Sequence, residues 1–127
     1  MTQDEMKQRA KQFALRVIRL VESLPNTRAA NVIGNQLLRC GTSVGANYRS
    51  SCRAKSTADF INKLSIVEEE ADESIYWMEL LIESKIMKQD LLDNLLDEAN
   101  QIVSIIVSSI RTSKVKRNPK SAIPNPK

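Results

Sequence analysis

Apolar residues recur along this chain at steps of three and four, the spacing that lays one face of a helix against a core. In the first run, Met6, Ala10, Phe13, Val17, Val21 and Leu24 predict a helix over residues 4–24. Asp4 and Glu5 suit its amino end, and Pro25-Asn26 stops it. The second run, Ile33, Leu37, Cys40 and Val44 with Tyr48 near the same face, predicts a helix over residues 28–54. The third carries Phe60, Leu64, Val67, Ala71, Ile75, Met78 and Ile82, with Ser56 or Thr57 as its cap, and ends near Met87. The fourth, Leu92, Leu95, Ala99, Ile102, Ile106 and Ile110, starts around Gln89-Asp90 and runs to about Ser113. Residues 26–118 hold no proline, so nothing in the backbone chemistry interrupts these segments. The fold class is therefore all-α. Short connections make successive helices antiparallel, an up-down-up-down four-helix bundle over residues 1–113. Residues 114–127 are basic and proline-spaced and are expected to form a flexible tail.

Helices three and four carry more apolar surface than one stripe requires. Ile61, Ile66, Tyr76, Trp77 and Leu81 widen the third, and Leu91, Leu96, Val103, Ile105 and Val107 widen the fourth. Apolar surface left uncovered on a bundle of this size marks a partner face, which points to self-association.

Composition removes several classes of function. The chain of 127 residues has no histidine, and so lacks the commonest metal ligand and the commonest general base. Its serines have no evident activating partner, and no glycine-rich phosphate loop is present. The acidic run Glu68–Glu73 is not read as a metal site, since di-metal bundles combine glutamates with histidines; Glu68, Asp72, Glu79 and Glu83 share one helix face, a solvated edge or one paired with arginines. Cys40 and Cys52 share one helix roughly 18 Å apart, too far for a disulfide. No catalytic residue, cofactor or metal is expected. The polar amino terminus and the lack of a long apolar run predict a cytoplasmic protein without membrane contact.

Charge changes the picture further. Residues 25–55 hold Arg28, Arg39, Arg49, Arg53 and Lys55 and no acid, while residues 56–88 hold eight acids against three lysines. At about 100° per residue the four arginines fall within an arc of about 80°, away from the core series. Arginine donates paired bonds to phosphate oxygens, so this stripe is a candidate polyanion face. It could equally be satisfied by acids of the next helix. Gly34, Gly41 and Gly45 fall within an arc of about 40° on the same helix, which points to the close approach of a neighbour.

Gln36-Leu37-Leu38-Arg39, Thr42-Ser43-Val44-Gly45-Ala46-Asn47, Arg53-Ala54-Lys55-Ser56 and Phe60 resemble the signature of the four-helix bundle proteins related to the ribosomal RNA intervening-sequence protein. Lys63-Leu64, Glu68-Glu69, Glu73 and Leu80-Leu81 continue the likeness, which covers roughly residues 10–112. The family's usual Ser-Ile-Pro-Ser-Asn-Ile-Ala-Glu-Gly segment is altered here to Ser43-Val44-Gly45-Ala46-Asn47-Tyr48-Arg49-Ser50-Ser51, without the proline or the acid. The resemblance implies a homopentamer with a basic surface able to meet nucleic acid. The chain is also similar to the accessory variability determinant of diversity-generating retroelements, which implies a reverse transcriptase as a further partner. On that carry-over Arg39, Arg49 and Arg53 contact phosphate, supported by Arg28 and Lys55. Two readings follow: a non-catalytic, oligomeric, nucleic-acid-binding accessory protein, or a protein-interaction scaffold whose arginines are satisfied internally.

Overall fold

The computed structural model of the chain describes residues 1–117, so residues 118–127 of the expected tail lie outside the described residues. Four helices follow one another: α1 (Gln3–Glu22), α2 (Arg28–Ser51), α3 (Thr57–Glu83) and α4 (Gln89–Arg117). The architecture is the antiparallel four-helix bundle, and α4 continues beyond the point where its apolar stripe ends.

Side chains close the amino ends where backbone N–H groups lack helical partners. Thr2 and Glu5 form a reciprocal capping box at α1. Thr27 accepts from the Ala30 N–H at α2, and Ser56 from the Asp59 N–H at α3. The third helix ends through Lys85, whose φ of 64° is the left-handed conformation that usually falls to glycine there. The Ile86 and Met87 N–H groups then both donate to the Leu81 carbonyl, turning the chain into α4.

The core is the set of stripes read from the sequence, with Phe13, Leu37, Leu64, Met78, Leu92 and Ile102 among its fully buried members. Two residues read as surplus surface, Ile61 and Leu81, are buried as well. The reason is topological: α3 packs extensively on both α2 and α4, so it needs a wide apolar face rather than a stripe. Of the remaining surplus, Ile66, Tyr76 (52% exposed) and Leu91 (64% exposed) stay in water. Trp77, Leu96, Val103 and Ile105 are half-buried against the core.

The first helix packs closely on α2 and only sparsely on α4. Its close face is the one the glycines provide. A Cβ placed on Gly41 would lie 2.8 Å from Val17 Cγ1, and Gly34 and Gly45 face Val21, Leu24 and Ala10. Across the sparse α1–α4 seam, Arg9 holds Glu98 with two bonds of 2.7 and 2.8 Å and Gln101 with one of 2.6 Å. No helix among the described residues is long and apolar enough to cross a membrane.

Candidate nucleic-acid interface

The five basic residues singled out in the sequence do not form one site. Arg28 opens α2 and Arg49 lies near its end, about 31 Å away at the helical rise. Arg39, midway, is already engaged. Its guanidinium donates to Glu70 Oε2 at 3.1 Å and to Glu73 Oε2, while Nε reaches Gln36. Glu73 also accepts from the Trp77 indole N–H at 3.0 Å, and that bond together with Arg39 holds its carboxyl below the usual carboxylate range. The same pairing raises the affinity of Arg39 for its proton. Its side chain is nevertheless half exposed, so the pair adds little stability. What it does remove is a free guanidinium fork.

The acids that take this role are Glu70 and Glu73. The face read as Glu68, Asp72, Glu79 and Glu83 leaves Asp72, Glu79 and Glu83 exposed to solvent.

Arg49 and Arg53 are different. Arg49 lies in the last turn of α2 and Arg53 in the turn that follows it; both are exposed, and among the described residues neither has a carboxylate within ion-pairing distance. They stand between two grooves and line both. On the α1 side a groove of about 220 Å³ adds Lys7, Gln8 and Lys11. On the α3 side a groove of about 380 Å³ adds Ala46, Ser50 and Lys63. Three helices thus bring five cations to one end of the bundle. Two acids moderate them: Asp59 accepts from Lys63 Nζ at 3.1 Å, and Asp4 lies 3.8 Å from Lys7 Nζ. The Lys55 backbone N–H and Lys63 together hold the Asp59 carboxyl below its ordinary range, so it is a permanent countercharge near neutral pH. Lys55 lines neither groove and instead borders a separate hollow beside α4.

Sequence reasoning missed Lys7, Lys11 and Lys63, because each looks like an ordinary polar-face lysine on its own helix. The α2 glycines held the signal. They set Gly41 against Val17 and Gly45 against Ala10, and continuing that antiparallel register by a turn or two brings Arg49 alongside Lys7.

Among the described residues no group of three or more His, Cys, Asp or Glu side chains could hold a metal ion. Cys40 is buried, its thiol pushed up by burial, and its Sγ lies 3.2 Å from the Ser74 hydroxyl. What the arrangement offers chemically is a set of cationic donors along two grooves at one end of the bundle, suited to phosphate oxygens.

Comparison with known proteins places this geometry in a lineage. The family described as 23S rRNA-intervening sequence protein matches residues 2–108. A crystal structure of a protein with unknown function from the S23 ribosomal protein family of Bacteroides thetaiotaomicron VPI-5482 is also similar. It has a TM-score of 0.81 and 37% identity, over 87% of this chain and 99% of that one. No match was found among curated proteins.

Proposed function

The chain belongs to the 23S rRNA-intervening sequence protein family, and on that premise we propose that it is a non-catalytic accessory protein that binds nucleic acid through the Arg49–Arg53 ridge. One observation carries the reading: two exposed arginines without carboxylate partners stand between grooves that also carry Lys7, Lys11 and Lys63. Such a surface binds phosphate backbone by releasing counterions, with little discrimination among bases. Self-association into a ring, the pentamer that the resemblance implies, would repeat the ridge and add its fields. Exposed Ile66, Tyr76 and Leu91 supply apolar surface for such contacts. A reverse transcriptase handling an RNA template would meet the protein through the same nucleic acid.

The second reading, a scaffold without nucleic-acid affinity, is favoured by the engagement of Arg39 with Glu70 and Glu73. Fluorescence anisotropy with labelled RNA and DNA oligonucleotides separates the two. Arg49→Glu with Arg53→Glu is expected to weaken binding by at least about tenfold and to flatten the dependence of affinity on salt. Arg28→Glu, at the far end of α2, should change affinity far less. Absence of salt-sensitive binding by the unaltered chain would leave the scaffold reading in place.

A further inference from the structure

The end of the bundle carries a second concavity that the Arg49–Arg53 ridge does not use. It is a hollow of about 390 Å³ where α2 and α4 finish and α3 begins. Lys55 and Lys116 stand at its edge, Ser56 and Thr57 bring the amino end of α3 to it, and half-buried Phe60 forms part of its wall. Ser113 reaches it from α4.

Ser113 is the informative residue. Three serines in the described chain are buried. The Ser51 hydroxyl donates to the Tyr48 carbonyl at 2.6 Å, and the Ser74 hydroxyl to the Glu70 carbonyl at 2.8 Å. Ser113, at 9% exposure, has no hydrogen-bond partner among the described residues. Nor is its oxygen sealed in the protein interior, since among the described residues no fully enclosed side-chain oxygen or nitrogen is left unsatisfied. Ser113 thus brings a nine-tenths buried side chain, without a partner among the described residues, to the lining of this hollow. Buried polar groups in that condition normally meet a water or a ligand.

The chemistry of the lining narrows the ligand. No carboxylate is among the described lining residues, and the nearby Asp59 is occupied by the Lys55 backbone N–H at 3.1 Å and by Lys63. The carbonyl ends of α2 and α4 reach this end of the bundle too, so the two lysines supply the attraction for an anion. The Ser113 hydroxyl and the first N–H groups of α3 give it direction. Phe60 adds an aromatic surface, on which a base can stack whatever its identity. The volume lies within the range of small-molecule sites. We infer that the hollow is a seat for a phosphorylated nucleotide, its phosphate held by Lys55, Lys116 and Ser113 and its base lying against Phe60. The nucleotide is either free or the phosphorylated end of a strand. The inference stands independently of binding along the ridge.

The test is titration calorimetry of the full chain with a nucleoside 5′-monophosphate, the matching nucleoside and inorganic phosphate. The monophosphate should bind at least about tenfold more tightly than either fragment, since only it engages both the cations and the ring. Lys55→Glu with Lys116→Glu should abolish this binding, and Phe60→Leu, which keeps an apolar wall, should weaken it several-fold. Arg49→Glu with Arg53→Glu should leave it intact, which separates this seat from the ridge. Both lysines are exposed, and circular dichroism checks that each variant folds. Oligonucleotides with a 5′-phosphate, a 3′-phosphate or neither then identify the source. A preference for one phosphorylated end assigns the seat to strands, and equal binding of all three beside a tighter mononucleotide assigns it to free nucleotides. Monophosphate binding no tighter than that of inorganic phosphate, or unchanged in the double lysine variant, would overturn the inference.

Discussion

Replacing the α2 glycines one at a time by alanine measures how closely α1 is held, and the structure assigns each position a different answer. In a helix interior alanine is favoured over glycine by about 1 kcal/mol, which is the gain if the new methyl fits. At Gly45 it does fit: the added Cβ would meet Ala10 atoms at 3.5 Å, an ordinary contact. Gly45→Ala is expected to stabilise by about 1 kcal/mol, or about 4 °C in Tm for a domain of this size. At Gly34 the closest atom is Leu24 Cδ1 at 3.0 Å, the movable end of a flexible side chain. Gain and adjustment there nearly cancel. At Gly41 the methyl would lie 2.8, 2.9 and 3.2 Å from Cγ1, Cγ2 and Cβ of Val17. Val17 is fully buried and β-branched, so it cannot rotate away, and its Cβ is among the clashing atoms. The α1 backbone must move. Overpacking of this kind costs about 1–3 kcal/mol. Taking the upper end and subtracting the propensity gain, Gly41→Ala loses about 2 kcal/mol, or about 8 °C. Urea unfolding followed by circular dichroism reads all three. The order Gly45→Ala above wild type, Gly34→Ala near it and Gly41→Ala below it is the signature. Equal effects at Gly41 and Gly45 would refute the claim that α2 needs glycine where Val17 presses on it.

Two further outcomes follow from the ion pairs. Glu73, Asp59 and Glu5 all have lowered pKa values in the folded protein, so their stabilisation is present above the ordinary carboxylate range and is lost as pH falls through the folded values. Tm should therefore decline as pH falls below about 4, and Glu73→Gln should make the acid limb shallower; an unchanged slope in that variant would sink the assignment. Arg9→Met strips Glu98 of its two charge-assisted bonds at a seam where both side chains are mostly buried. A loss of about 1.5–3 kcal/mol in urea is expected there, and a distinctly smaller one for Arg39→Met at its exposed pair.

Helix number, order and most of the core were readable because each stripe repeats at the helical period, a property local to its own segment. Ser56 as a cap and Pro25-Asn26 as a stop were local too. The width of α3 was not. Ile61 and Leu81 looked like uncovered surface because periodicity counts faces and not neighbours, and α3 has a neighbour on both sides. The candidate site was readable only in part for the same reason. An arc on a helical wheel put Arg39 beside Arg49 and Arg53, but the register of α3 placed Glu70 and Glu73 against the first and no acid against the other two. Lys7 and Lys11 join them only once α1 is laid along α2. That Ser113 lacks a partner among the described residues is a property of the assembled bundle end and has no sequence signal.

The sparse packing between α1 and α4 also bears on how quickly the chain can fold. Nearly every tertiary contact joins helices that are consecutive in sequence, across connections at residues 23–27, 52–56 and 84–88. Closing short loops one after another costs little entropy at each step, and chains with such local contacts fold in microseconds to milliseconds. During synthesis the α1–α2 hairpin can form before α3 has left the ribosome, and each later helix docks on the one before it. The α1–α4 seam, with Arg9 clasping Glu98 and Gln101, must wait until the chain is nearly complete.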